Sequence, residues 1–102
     1  MSLNAKILSL ISGIDDPSIR IEVAQTIRFL FDVWRTGNVD KEEILSDLTE
    51  VTYTVVSIKM PTLSEEEKRV KAREMAEEIF RSFMVESMFT RTFTRMRPRI
   101  YR

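Results

Sequence analysis

The chain of 102 residues contains no cysteine and no histidine. Because cysteine is absent, there is no disulfide framework and no thiolate chemistry, which excludes the disulfide scaffolds of small secreted proteins. Because histidine is absent, the chain lacks the commonest general base and the commonest transition-metal ligand. Its uninterrupted apolar runs are too short to cross a bilayer. We therefore expect no membrane span and a cytoplasmic, intracellular protein.

Glycine and proline are scarce as well, with two and three residues, and they mark predicted helix boundaries. Ser2 can cap a first helix, and Gly13 is placed to end that helix in the left-handed conformation. Asp16 precedes Pro17, a pairing typical of a cap followed by the first helical residue. We predict a second helix over 17–35 that is apolar on more than one face.

The pair Asp40 and Glu43 has the spacing of a capping box and predicts a third helix over 40–59. The stretch 51–58 is rich in β-branched residues, which alone would favour a strand. Apolar residues continue at helical spacing through this stretch, and no other segment offers a strand partner. We therefore predict helix there.

A second capping box, Ser64 with Glu67, predicts a fourth helix from about 64 to 89 or slightly beyond. Its predicted inner stripe comprises Ala72, Ala76, Ile79, Phe80, Phe83 and Met84. Four helices joined by short connections predict an all-α fold, a small four-helix bundle formed by residues 1–90.

The last twelve residues, 91–102, hold five arginines and no acid. Subtracting these five from sixteen basic residues leaves eleven against sixteen acids in residues 1–90, a net charge of −5. We call 91–102 the basic arm and expect it to be the main contact site for a partner. The predicted contact residues are Arg91, Arg95, Arg97, Arg99, Tyr101 and Arg102.

Two interpretations of the basic arm remain open. Arginine pairs well with carboxylates, so the arm can lie as a strap against the acidic body of its own or a neighbouring subunit, or dock on another acidic protein or a membrane surface. Arginine interleaved with aromatic residues also suits nucleic acid, through phosphate contacts and base stacking. We favour the docking element or strap.

Residues 32–43 resemble the calcium-binding loop of the EF-hand family. Asp32 takes the first loop position, Gly37 the sixth, Asp40 the ninth and Glu43 the twelfth, and predicted helices flank the loop. The resemblance implies calcium ligands at Asp32, Asp40 and Glu43. The third position, which supplies an oxygen in that family, is Trp34. We therefore favour a simple helix–turn–helix corner and predict no bound metal.

The same corner does not favour a DNA-reading helix, because the third helix begins with acidic residues that repel phosphate. No arrangement of acids, phosphate loop or activated nucleophile stands out elsewhere. We predict a protein that is not an enzyme and needs no cofactor.

Aromatic residues on the second helix indicate self-association, since a small four-helix monomer has little room to bury more than one apolar face of a helix. The interface candidates are Phe29, Phe31 and Trp34. We predict a homodimer that acts as an interaction or assembly module, with a small nucleic-acid-binding protein as the alternative.

Overall fold

A computed structural model describes the backbone of residues 2–100 and the side chains of residues 2–88. This part of the chain contains four α-helices and no strand. The helices are α1 (Leu3–Ile11), α2 (Pro17–Arg35), α3 (Lys41–Lys59) and α4 (Glu65–Ile100). The predicted all-α helical bundle is therefore confirmed.

Three of the four predicted helix starts form as the sequence indicates. The Ser2 hydroxyl accepts a hydrogen bond from the Ala5 amide at 3.2 Å, and the Asp16 carboxylate accepts one from the Ser18 amide at 2.9 Å. At the start of α4, the Ser64 hydroxyl accepts from the Glu67 amide at 3.2 Å. The Glu67 carboxylate accepts in return from the Ser64 amide at 3.0 Å. This reciprocal pair is a complete capping box.

The predicted capping box at the start of α3 is wrong. Asp40 occupies the N-cap position with extended backbone, but its carboxylate accepts no capping hydrogen bond. The acidic residues of the first turn, Glu42 and Glu43, still interact favourably with the positive end of the helix dipole.

The prediction that Gly13 ends α1 in the left-handed conformation is also wrong, since Gly37 is the glycine with positive φ among the described residues. The end of α1 is held instead by Lys59, whose ammonium donates to the Leu10 carbonyl at 3.0 Å. A β-carbon on Gly13 would lie 2.7 Å from Cε of Lys59. Glycine therefore leaves room for the lysine side chain.

The β-branched second half of α3 is helical, as its apolar spacing predicts. Thr52, Val55 and Val56 are fully or almost fully buried, so tertiary packing outweighs their preference for strands. The Thr52 hydroxyl lies 2.8 Å from the Ala72 carbonyl of α4 and 2.9 Å from the Leu48 carbonyl of its own helix. Either oxygen can accept its proton, so the buried hydroxyl is satisfied.

The core lies between α4 and the other three helices, and α3 makes the most extensive pairing with α4. Near the C-terminal end of α2, the Trp34 ring meets the Phe80 ring edge to face at 4.9 Å. Phe31 meets Phe83 in the same way at 5.3 Å. These pairs hold α2 across the middle of α4.

The fourth helix is longer than the predicted one, which ends at residue 89 or slightly beyond. Its 36 residues correspond to about 54 Å at 1.5 Å per residue, whereas the 19 residues each of α2 and α3 correspond to about 28 Å. The contacts of α3 reach from Glu65 to Phe80 of α4. The second half of α4 therefore extends past the region where α3 packs.

Candidate docking surfaces

Three apolar side chains of α4 face solvent just before the basic arm. Val85 and Met88 are 65% and 66% exposed, and Met84 is 40% exposed. The predicted placement of Met84 on the inner stripe of α4 is therefore wrong. Successive residues turn by about 100° around a helix, so the positions that follow the buried Phe83 rotate away from the core.

The three aromatic interface candidates on α2 lie in different surroundings. Phe31 and Trp34 are partly buried and pack against the core of their own chain. Phe29 points outward and is 64% exposed. Ile21, two turns earlier on α2, is also exposed. Of the three candidates, Phe29 leaves the most surface available to a partner.

The predicted contact residues of the basic arm, Arg91, Arg95, Arg97, Arg99 and Tyr101 with Arg102, lie outside the side chains that the structure describes. The backbone of α4 runs as helix to Ile100. The arm therefore begins inside α4, one turn after Ser87, and the boundary between body and arm at residue 90 stays a prediction.

At the corner between α2 and α3, Gly37 has φ of 80° and its amide donates to the Trp34 carbonyl at 3.1 Å. The Asp32 carboxylate lies 3.4 Å from the Arg35 guanidinium. Glu43 is exposed on the first turn of α3. Across the described side chains, no group of three or more acidic residues is arranged to hold a metal ion. The geometry is that of a corner turned by glycine.

Three shallow grooves cross the described surface, with volumes of about 190, 200 and 260 Å³. Sites for drug-sized molecules usually measure about 300–1,000 Å³. Each groove is therefore of a size to receive side chains of a partner. One groove lies between α2 and α3, and its lining combines apolar residues with a glutamate.

A second groove lies near the basic arm, where α1 begins. The Leu3 amide donates to the Glu86 carboxylate at 3.2 Å, which ties α1 to α4. Arg28 lines the same groove and donates to the Asn4 side chain at 3.3 Å. Four of its six lining residues are therefore already joined in pairs by hydrogen bonds.

Tyr53 has the clearest electrostatic perturbation. Its hydroxyl donates to the Glu65 carboxylate, and this hydrogen bond, with desolvation and the negative charge of Glu65, raises the pKa of Tyr53 above its usual value of 10. The Arg69 guanidinium lies 5.7 Å from the ring centroid. The arrangement links the second half of α3 to the start of α4, so it fits a structural contact better than a reactive site.

No helix among the described residues is long and apolar enough to cross a membrane. No protein-family model, curated protein or solved structure matches the chain.

The α2–α3 groove and the exposed Val85 were not found by sequence reasoning. A projection of α4 at 100° per residue places Val85 away from Phe83 and would have identified it. The groove depends on how two helices pack, and no local signal in either helix predicts that.

Proposed function

We propose that this chain is a non-enzymatic helical assembly module that pairs with a second copy of itself. In this proposal the exposed apolar residues of α4 and the adjoining basic arm form the contact. The supporting observation is the high exposure of Val85 and Met88 directly before a segment of five arginines. Apolar exposure next to concentrated charge is typical of an interaction surface.

Apolar burial at Val85 and Met88 offsets only the lower half of the range of association costs. Fully burying a side chain of this size contributes about 1.5–3 kcal/mol. Val85 and Met88 have about two thirds of their surface left to bury, so each contributes about 1–2 kcal/mol. A symmetric dimer counts each residue twice, which gives about 4–8 kcal/mol, against an association cost of about 4–15 kcal/mol.

The basic arm supplies the remaining interaction in this proposal. Each exposed arginine–carboxylate pair contributes about 0.2–1 kcal/mol, so ten arginines in a dimer contribute about 2–10 kcal/mol. The acceptor is the acidic body, residues 1–90, with a net charge of −5. Since salt screens exposed pairs, the dimer is expected to weaken as ionic strength rises.

The test compares two valines on the same helix. Val85 and Val70 are 65% and 56% exposed, so Val85→Glu and Val70→Glu make the same chemical change on similar surfaces. Sedimentation velocity over a concentration series measures self-association. We expect Val85→Glu to weaken it at least tenfold and Val70→Glu to leave it nearly unchanged. Equal effects of the two variants would refute a contact at Val85.

Binding of nucleic acid is the second candidate function, and the absence of any acid in the basic arm favours it. If five arginines neutralise duplex phosphates, the logarithm of the binding constant falls with the logarithm of the salt concentration with a slope of up to about −4.5. Fluorescence anisotropy with labelled duplex and single-stranded DNA and RNA measures this slope. Binding that disappears when the five arginines are changed to glutamine would place this function first. No binding at low salt would exclude it.

A further inference from the structure

The groove between α2 and α3 has a mainly apolar lining, and its six lining residues all belong to these two helices. Val23 is buried at its base, and Ile19 and Val51 are partly buried on its walls. The complete lining is Ile19, Glu22, Val23, Thr26, Val51 and Thr54, around about 200 Å³. Ile58 is 39% exposed one turn beyond Thr54 on α3. A groove of this kind between two helices fits a third helix.

The rim of this groove is acidic. Glu22 forms part of the lining itself. Asp47 and Glu50 lie four residues before Val51 and Thr54 respectively, which places them on the same side of α3. All three acids are exposed, and none forms an ion pair with another described residue.

The neighbouring basic residue of α2 is already engaged elsewhere. The Arg20 guanidinium donates to the Ile14 carbonyl at 2.6 Å, with a longer contact of 3.4 Å to the Asp15 carbonyl. Its charge is therefore held against the loop before α2. Arg20 therefore does not neutralise the three acids of the rim.

We propose that this groove binds the basic arm of a second copy of the chain, which lies in it as a helix. This proposal rests on the self-association proposed above. The backbone is helical to Ile100, and Phe93, Met96 and Ile100 have the i, i+3, i+7 spacing by which a helix anchors in a groove. Arginines at 91, 95 and 99 repeat every four residues and supply charge complementary to the rim.

The geometry of α4 favours the arm of another copy over the chain's own arm. The groove half of α3 packs beside the first half of α4, because the Thr52 hydroxyl reaches the Ala72 carbonyl at 2.8 Å. From Ala72 to Arg95 a helix advances by about 35 Å. An arm that continues α4 thus leads away from its own groove, whereas two copies can exchange arms reciprocally in a closed dimer.

The acidic rim disfavours nucleic acid as the occupant, because Glu22, Asp47 and Glu50 would face phosphates. The groove is also smaller than a typical small-molecule site. A basic amphipathic helix satisfies both the apolar lining and the charged rim, and residues 91–102 are the one segment of this chain with that composition.

Charge reversal at the rim tests the proposal. Glu50→Arg is expected to weaken self-association about tenfold in sedimentation velocity, since two rim contacts per dimer become repulsive. Glu74→Arg makes the same change at an exposed position of α4 that forms no ion pair with another described residue, and it is expected to have little effect. Adding Arg95→Glu to Glu50→Arg is expected to restore most of the lost affinity.

The outcomes separate the two proposals. If the wild-type chain is monomeric at every concentration, the proposed self-association fails and the groove contact fails with it. Suppose instead that the wild-type chain dimerises, that Glu50→Arg weakens the dimer no more than Glu74→Arg does, and that adding Arg95→Glu does not strengthen it. The groove is then not the docking site, while self-association stands.

A cross-link gives an independent readout, because the chain has no native cysteine. Thr54→Cys and Met96→Cys chains are mixed under mild oxidation, with Val70→Cys replacing Thr54→Cys in the control. A disulfide forms where Cα atoms come within about 4.4–6.8 Å. We expect a linked pair from Thr54→Cys with Met96→Cys and none from the control. The reverse pattern, or equal yields, would overturn the proposal.

Discussion

The contact of Lys59 with the end of α1 gives the sharpest prediction for the fold. Gly13→Ala normally stabilises a protein by about 0.4–1 kcal/mol at a compatible position, because alanine restricts the unfolded chain. Gly13 does not have positive φ, so its backbone accepts alanine. The added β-carbon, however, would lie 2.7 Å from Cε of Lys59. The lysine must move, and its hydrogen bond to the Leu10 carbonyl is weakened.

That hydrogen bond at 3.0 Å joins an ammonium to a carbonyl at the negative end of a helix, and we assign it about 1 kcal/mol. In the wild-type background the gain from alanine and the loss of this bond nearly cancel. In a Lys59→Ala background the obstruction is gone, so Gly13→Ala should stabilise by the full 0.4–1 kcal/mol or about 2–8 °C in Tm.

Urea denaturation of the four chains measures the coupling between the two sites. We expect a coupling free energy of about 1 kcal/mol, with unchanged m-values and a fixed protein concentration, since self-association makes apparent stability depend on concentration. If Gly13→Ala stabilises equally in both backgrounds, the close approach of Lys59 to Gly13 is not present in solution.

Three further predictions concern single contacts. Thr52→Val keeps the volume of the side chain but removes the hydroxyl that reaches the Ala72 carbonyl, so we expect a loss of about 1 kcal/mol in chemical denaturation. A loss near zero would show that this hydroxyl contributes nothing net. Because the Tyr53 hydroxyl donates to Glu65 and its pKa is raised on folding, this contact stabilises below pH 10 and is lost as pH rises through the folded pKa. As the pH rises above 10, the free energy of unfolding of Tyr53→Phe should therefore fall less than that of the wild type. Identical falls in the two proteins would contradict this. Millimolar calcium should leave the Tm unchanged, whereas a rise that Glu43→Ala removes would establish an EF-hand-like site.

Local signals predict most of the helix starts in this chain. Ser2, Asp16 and the Ser64–Glu67 pair act on amides two or three residues away, so their partners are visible in the sequence. The end of α1 was not predictable in this way. Its capping group, Lys59, comes from the end of α3, 49 residues from Leu10.

The candidate surfaces were predicted only in part. The sequence identifies the basic arm by composition and Phe29 by the excess of apolar residues on α2. Phe31 and Trp34 instead pack against Phe83 and Phe80 of their own chain, because the crossing of α2 over α4 decides which aromatic faces remain open. The α2–α3 groove arises from the same packing.

The most direct test of the account is sedimentation equilibrium of the wild-type chain over a wide concentration range at low and high salt. We expect the molar mass to approach twice the 12.0 kDa of one chain at low salt, and to fall back towards one chain as salt screens the arginines. A mass of 12.0 kDa at every concentration in low salt would contradict self-association, and a dimer insensitive to salt would contradict the role of the basic arm.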